Sequence, residues 1–600
     1  PVPTDTPQPT ATAPPTATPL PTPTPTPTPI PLADWVEEGD VLFKQSDFAG
    51  AEAAYQRAVE ADAEYAPAYI GLSELFSWQT GREDDPLVQA EKAVELAPDS
   101  ADAYVVLSQA HAALLAPAES LTAGERAVEL DEESARAQAA LARAYVRERH
   151  YEDALRSAEA AIALDPELAE AYHSLGLCYE GMADFARARA AAEKAIALEP
   201  KFAPWHAALA YRWATAADHE QAEALYQQAL ELDPEFVQAI LGLAYVEMDR
   251  RKFEEAEAQI QQAIELAPDA PHGYWALGYL YAEQDESDEA LAHFRKALER
   301  WPGFWYAEYG IGRVHLAEFE CDSAARQAQE LMTLQPRSAG GRSLLGFAKL
   351  CEGDTNKALE HFRKAQDLEP YDAHTHLGMG YAYAAQDRSE EAIEALMQAL
   401  RFSAAPAQAH TALGDIFNWQ GETDLAEAEQ LVALRLDPDS VEALVSLSNL
   451  LYIQDRDGDA QARAEQVLSL DETETDAQRL LGGSLLAQGF AQEAAERLEQ
   501  LVEQEPEDAF GHFYLGLAYR DLGQYADAKK ELETYLALNP ADPDRDRIDL
   551  LIEALGQGYA MTEEKATADL ADLLAEYLDT EPDVRVEEIE GKGRTLIISL

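Results

Sequence analysis

The apolar and polar residues of this chain follow a pattern that repeats every 34 residues. In the unit 169–202, AEAYHSLGLCYEGMADFARARAAAEKAIALEPKF, a first apolar stripe at helical spacing is formed by Tyr172, Leu175, Gly176 and Tyr179. A break follows at Ala183 and Asp184. A second helical stripe then ends at Pro200, because proline lacks an N–H donor and cannot continue a helix. Each unit therefore predicts two antiparallel helices joined by a short turn.

Small residues mark the same two places in successive units. One row runs through Gly176, Ala210, Ala244 and Gly278 to Gly516, and the other through Ala154, Ala188 and Ala222 to Ala528. Two short helices cannot cover their own apolar faces, so units of this kind must stack to bury a continuous core. We count fifteen repeats over residues 32–542, with one extra residue near Gly81. The period therefore predicts a solenoid.

The unit resembles the tetratricopeptide repeat (TPR) family. A bulky residue is followed by Leu-Gly, Tyr, Ala, an aromatic residue, Ala and Pro, as in Tyr172 to Pro200. The resemblance implies an all-α fold, a right-handed TPR superhelical solenoid, in which the first helix of each unit lines a concave groove. It also implies a binding scaffold rather than an enzyme.

The composition limits the partners of such a scaffold. The chain has 112 acidic and 45 basic residues, a formal net charge of −67, so nucleic acid is not expected as a partner. Basic proteins, cations and sugars stay open. The sequence has no apolar run long enough to span a bilayer, no phosphate-binding Gly-Lys-Ser/Thr loop and no His-Glu-x-x-His motif. We predict neither a catalytic site nor a cofactor.

Residues 1–31 differ from the rest of the chain, with 13 prolines and 10 threonines. Such a tract favours polyproline II and would reach about 95 Å at roughly 3.1 Å per residue. Thr-Pro runs also suit O-glycosylation, for which the candidate sites are Thr22, Thr24, Thr26 and Thr28. The tract favours an extracytoplasmic or cell-surface location. An inert flexible linker is the alternative.

The resemblance places a set of mainly aromatic residues in the concave groove of repeats 6 to 11. In the first repeats the equivalent position holds mixed polar residues, namely Asp40, Glu74, Gln109 and Arg143. Further along, the groove residues are Tyr211, Tyr245, Trp275, Tyr279, Tyr309, Arg313, Phe347 and Tyr381. Rows of rings suit proline-rich strands and sugars. Filling between helices is the alternative reading of the same rings.

The three cysteines fall at different places in the repeat. Cys178 belongs to the apolar stripe of a first helix and is expected to be buried. Cys321 opens the second helix of repeat 9, and Cys351 ends the first helix of repeat 10, so stacking should bring both to one edge. The sequence therefore allows either a disulfide between Cys321 and Cys351 or two free thiols.

One weak metal candidate occurs after the last repeat. Its residues match positions 1, 3, 5 and 12 of a calcium loop and are Asp542, Asp544, Asp546 and Glu553. Arg547 occupies the place where the sharp turn of such a loop needs glycine. An acidic helix N-terminus explains the same residues, so no metal is predicted.

The C-terminal part should form a small α/β appendage. Residues 543–556 read as a helix that caps the exposed end of the solenoid. In residues 557–600 we expect another amphipathic helix and then a β-hairpin, with its turn at Gly591 to Gly593. An isolated hairpin is marginally stable, so it should pack on the helix, the solenoid or another molecule.

These features together predict a non-catalytic interaction scaffold. The favoured hypothesis is self-association into a filament or surface assembly, with residues 1–31 docked in the groove of a neighbour or of the same molecule. The alternative is a monomeric peptide-binding adaptor at the cell surface or in the periplasm, tethered by the Pro/Thr segment. A sugar-processing enzyme has little support, because no carboxylate pair is singled out.

Overall fold

The computed structural model describes residues 31–82, 85–402 and 407–556. Within these ranges the chain forms α-helices and no β-strand. The helices are, in chain order, α1 (Leu32–Phe43), α2 (Phe48–Ala61), α3 (Ala66–Phe76), α4 (Asp85–Leu96), α5 (Ala101–Ala113), α6 (Pro117–Leu130), α7 (Ala135–Arg147), α8 (Tyr151–Leu164), α9 (Ala169–Gly181), α10 (Phe185–Leu198), α11 (Ala203–Ala214), α12 (His219–Leu232), α13 (Val237–Asp249), α14 (Phe253–Leu266), α15 (Pro271–Ala282), α16 (Ser287–Arg300), α17 (Trp305–Ala317), α18 (Cys321–Leu334), α19 (Ala339–Cys351), α20 (Thr355–Leu368), α21 (Ala373–Ala384), α22 (Ser389–Phe402), α23 (Ala407–Trp419), α24 (Thr423–Leu436), α25 (Val441–Ile453), α26 (Asp457–Leu470), α27 (Thr475–Ala487), α28 (Ala491–Gln504), α29 (Ala509–Asp521), α30 (Tyr525–Leu538) and α31 (Arg545–Gly556).

Helices α1 to α30 pair into fifteen two-helix repeats, which confirms the count made from the sequence. In repeats 4 to 15 the alanine of this row in the second helix, such as Ala188 in α10, is fully buried. A small side chain is needed there because the two helices of a repeat approach closely. The additional helix α31 packs its Ile548 and Ile552 against Tyr535 and Leu536 of α30 and so covers the last repeat. The predictions for residues 1–30 and 557–600 lie outside the described residues.

Polar side chains cap the N-termini of many of the helices. The Asp184 carboxylate accepts a hydrogen bond from the backbone N–H of Arg187 at 3.1 Å, at the start of α10. The Ser134 hydroxyl accepts one from the N–H of Ala137 at 3.2 Å, at the start of α7. These bonds satisfy N–H groups that have no partner inside the helix. Residues within the short turns therefore help to fix where the next helix begins.

Every repeat places one residue in the left-handed backbone region, at the turn between its two helices. Five of these residues are glycines, and ten carry a side chain. The left-handed conformation costs an L-residue roughly 1 kcal/mol, whereas glycine adopts it freely. The ten residues with side chains are Ser46, Leu115, Arg149, Ala183, Ala217, Arg251, Asp285, Phe319, Asp387 and Asp455.

Replacing Ala217 with glycine should raise the free energy of unfolding of its repeat by about 0.5–1 kcal/mol, because Ala217 has φ 56°. The reciprocal change is Gly421→Ala. Gly421 has φ 75°, and no atom lies within 4 Å of the place that an added Cβ would take, so the substitution tests the backbone conformation without a steric clash. We expect Gly421→Ala to be destabilising by a similar amount. Urea denaturation of both variants checks the prediction, and effects of the same sign would contradict it.

Large and small side chains complement one another between neighbouring repeats. Phe294 of α16 is buried against Gly278 of its own repeat and Gly310 of the next, where an added Cβ would lie 2.6–2.7 Å from the ring. One repeat later the sizes are exchanged, because Ala328 stands at the position of Phe294 and Leu344 at that of Gly310. The core is thus assembled from two alternative packings of the same site.

The stack of repeats curls so far that successive superhelical turns touch. Phe202, between repeats 5 and 6, lies 5.0 Å from Phe43 and 5.6 Å from Trp78 between ring centroids. The Ala203 N–H donates to the Ser46 hydroxyl at 2.7 Å. The turns between the two helices of repeats 1 and 2 therefore pack against the connection between repeats 5 and 6.

A second contact between superhelical turns joins repeat 4 to repeats 9 and 10. Arg149 forms an ion pair with Glu369, and Glu148 lies 3.3 Å from Arg337. The rings of Tyr151 and Tyr371 lie 6.2 Å apart. This second contact combines ion pairs with a contact between rings, whereas the first is mainly aromatic.

Candidate functional site in the concave surface of repeats 6 to 11

The first helices of the repeats form the inner surface of the superhelix. First helices of neighbouring repeats contact one another, as α13 does with α15 and α17 with α19, which places them on the side of smaller radius. The predicted groove residues lie on α11, α13, α15, α17, α19 and α21. Tyr211 is 52% exposed and Arg313 is exposed, while the other six are half buried. None of the eight is a fully buried core residue.

Three of the predicted groove residues form a cluster of rings. The Trp275 ring lies 5.8 Å from Tyr245 and 6.4 Å from Tyr279, the latter pair being stacked. Tyr306, which the sequence analysis missed, lies 5.7 Å from Trp275. Tyr306 is the second residue of its helix, and the equivalent position is His272 in the repeat before, Gly340 in the repeat after and His374 in the next. A search of that row would have found it.

The other aromatic residues do not continue this cluster as one regular ladder. Phe347 packs against Phe362 at 5.0 Å and against His374 at 4.6 Å. His374 is half buried there. The rings of this surface therefore combine packing between helices with partial exposure.

Arg313 supplies the positive charge of this surface. It joins none of the ion pairs found among the described residues, although the chain has far more acidic than basic side chains. Its charge acts on Tyr279 and Tyr309. Burial raises the pKa of Tyr309 to about 12 in spite of Arg313, so the hydroxyl stays protonated and can donate. This part of the groove thus offers rings and hydrogen-bond donors.

The concave surface of the first repeats carries a network of charged residues. Arg136 lies 2.6 Å from Glu74 and 3.9 Å from Glu170. Burial raises the pKa of Glu74 to about 7 although Arg136 opposes the shift. Burial also acts to raise the pKa of Glu170, but Arg143 and Arg136 outweigh it and leave the pKa below its usual range. The two ends of the groove therefore differ in chemistry.

The two cysteines predicted to share an edge are joined. Cys321 and Cys351 form a disulfide whose Cα atoms are 5.7 Å apart. The bond links the start of α18 to the end of α19, so it joins repeats 9 and 10 covalently. Cys178 is buried and free, and burial raises the pKa of its thiol to about 12.

The weak calcium candidate is not assembled as a metal site. Asp542 accepts hydrogen bonds from the amide of Asn539 at 3.1 Å and from the N–H of Asp544 at 2.7 Å. Asp544 pairs with Arg547 at 3.0 Å, and Asp546 lies within α31. Among the residues of the described ranges, no group of three or more His, Cys, Asp or Glu is placed to hold a metal ion.

Family models identify the repeat. Models of the tetratricopeptide repeat match residues 36–85, 137–170, 169–202, 215–236, 241–304, 350–416 and 479–543. The chain belongs to the tetratricopeptide repeat family, and it is a TPR scaffold of the kind that serves protein–protein interaction. Such scaffolds are typically non-catalytic.

One of the solved structures that the chain resembles shares its fold over most of the chain. A chain in the crystal structure of the APC/C hetero-tetramer Cut9–Hcn1 is 16% identical, with a TM-score of 0.59, and the match covers 83% of this chain and 98% of that one. TTC0263, a thermophilic TPR protein of Thermus thermophilus, is 25% identical over 30% of this chain and 100% of its own, with a TM-score of 0.29. The search of curated proteins gave no match. Over the helices that the structure describes, none is long and apolar enough to cross a membrane.

Proposed function

We propose that the concave surface of repeats 6 to 11 binds an extended proline-rich segment, and that residues 1–31 of the same chain or of a neighbouring molecule are that segment. The observation that carries the proposal is the ring cluster of Tyr245, Trp275 and Tyr279 on the same surface as Arg313, which joins no ion pair within the described part of the chain. The protein then acts as an interaction scaffold that assembles with copies of itself.

The chemistry of the two partners is complementary. A proline-rich strand has few N–H groups but exposes its carbonyl oxygens, so it needs donors and apolar faces from its binding site. Arg313 and the Tyr309 hydroxyl supply donors, and Trp275 and Tyr279 supply ring faces. The strand is already extended before it binds, which limits the entropy lost on docking.

Docking of residues 1–31 in the groove of a neighbour produces a head-to-tail contact. A contact of this type that does not close into a ring generates a filament. The disulfide between Cys321 and Cys351 and the Thr-Pro run support an extracytoplasmic location, since disulfides persist in oxidising compartments. O-linked glycans on Thr22, Thr24, Thr26 and Thr28 fit the same location.

The test compares the full chain with a chain that lacks residues 1–31. Negative-stain imaging and light scattering should show assemblies of the full chain and monomers of the shortened one. A fluorescent peptide of residues 14–31 should then bind the shortened chain, as measured by anisotropy.

Trp275→Leu and Arg313→Glu should each weaken that peptide about tenfold or more. Trp419→Leu is the matched control, because Trp419 is 71% exposed and is not one of the groove residues. If neither groove substitution changes the affinity for the peptide, the proposed site is rejected. Monomers of both chains, with the peptide still bound, would reject the filament and favour docking within one molecule or the tethered adaptor.

A further inference from the structure

A cleft of about 450 Å³ opens where the second contact joins two superhelical turns. Repeats 4 to 6 form one side and repeats 10 and 11 the other. The Arg149–Glu369 ion pair holds the two sides together. None of the eight groove residues lines this cleft, so it is a separate site. A volume of this size is within the range of ligand pockets.

Aromatic rings from both turns line the cleft. Tyr151 and Phe185 come from one side, and Tyr371 and Phe402 from the other. Tyr371 lies 6.2 Å from Tyr151 and 5.4 Å from Phe402 between ring centroids. All four rings are half buried, so they line the space rather than fill it. Ring faces attract cations through the negative charge above the ring plane.

Three carboxylates share the cleft with these rings, namely Glu180, Glu369 and Asp372. Arg212 Nη2 lies 3.0 Å from Glu180 Oε2, and this oxygen is shielded from solvent and accepts no other hydrogen bond among the described residues. Burial raises the pKa of Glu180 and of Glu369, although Arg212 and Arg149 oppose the shifts. Arg212 and Arg149 therefore pair with these two carboxylates but do not fully offset the effect of burial on their pKa.

We propose that this cleft binds an organic cation, an ammonium or guanidinium group carried on an apolar stem. The rings receive the apolar stem and the alkylated charge, and Glu180 and Asp372 face the charge. The net charge of −67 draws cations towards the protein from a distance. The cation is either a small free molecule or a lysine or arginine side chain of a protein partner.

Calorimetric titration of the full chain with choline tests the proposal. The comparison ligand is the uncharged analogue of choline in which a tert-butyl group replaces trimethylammonium, with ionic strength held constant by sodium chloride. We expect choline to bind about tenfold or more tightly than the analogue. Measurable and equal binding of choline and the analogue, or no binding of either choline or an arginine-containing peptide, would overturn the proposal.

Three variants locate the binding. Glu180→Gln removes one charge and Tyr371→Leu one ring, and each should weaken choline about tenfold. Phe402→Leu replaces Tyr371→Leu if circular dichroism shows that the latter unfolds. The matched control is Tyr104→Leu, in a surface depression of repeat 3 that also contains Glu119 and Glu125. Binding that is unchanged in the cleft variants, or lost in the control, would overturn the assignment to this cleft.

A second titration separates the two sources of the cation. It uses a short acetylated peptide that contains one arginine, compared with the same peptide containing glutamine. Binding of the arginine peptide without choline assigns the cleft to a basic side chain of a partner. Binding of choline without the peptide assigns it to a free organic cation.

Discussion

Replacing Phe202 with alanine should destabilise the first repeats by about 3–5 kcal/mol and lengthen the molecule. Phe202 is 2% exposed and contacts Phe43, Phe48 and Trp78 of repeats 1 and 2. The substitution leaves a cavity between superhelical turns. It therefore removes three of the ring contacts that hold repeats 1 and 2 against repeats 5 and 6, and leaves those of Trp78 with His173 and Trp205.

The control for this experiment is Phe304→Ala. Phe304 occupies the same position of its repeat and is 1% exposed, but its ring contacts His272, Trp275, Trp301 and Tyr306 of adjacent repeats. We expect a similar loss of stability without a change in length. Small-angle X-ray scattering in the absence of denaturant measures the maximum dimension. Equal dimensions of the two variants would show that Phe202 does not hold the turns together.

Combining Phe294→Ala with Gly310→Leu should restore much of the stability that each substitution removes alone. Phe294→Ala should cost about 3–5 kcal/mol through the cavity that it leaves. Gly310→Leu should cost about 1–3 kcal/mol, because its Cβ would lie 2.7 Å from the Phe294 ring. Together they reproduce the packing of Ala328 and Leu344 one repeat later.

The double variant is expected to work because the surroundings also match. Gly278 stands beside Phe294 as Gly312 stands beside Leu344, so the new leucine has room. Denaturant unfolding of the two single variants and the double variant gives the coupling energy, expected at about 2–3 kcal/mol. Additive losses would mean that each repeat requires its own arrangement of side chains.

The local pattern predicted most of the fold. The helices of a repeat follow from short-range apolar spacing and from turn residues such as Pro200, and the same unit recurs fifteen times. Each repeat contacts mainly its neighbours in sequence, so the period of the chain is also the period of the structure. This is why the repeat count and the position of α31 could be predicted from sequence.

The candidate groove was predicted less completely. The residue row of Tyr245 and Tyr279 was visible in the sequence, because residues 34 positions apart occupy equivalent places. Which rings meet was not visible, since Trp275 contacts Tyr306 while Phe347 turns to His374. Those choices depend on side-chain conformations and on the volumes of neighbouring residues.

The sequence alone determined a stack of fifteen helix pairs with an acidic surface, because apolar spacing, small residues and charge are properties of each unit. Only the tertiary structure decided that Phe202 meets Trp78 and that Tyr151 meets Tyr371. Small rotations between repeats add up along the stack, and their sum decides which distant repeats touch. No single repeat encodes that sum, and the cleft between the superhelical turns depends on it.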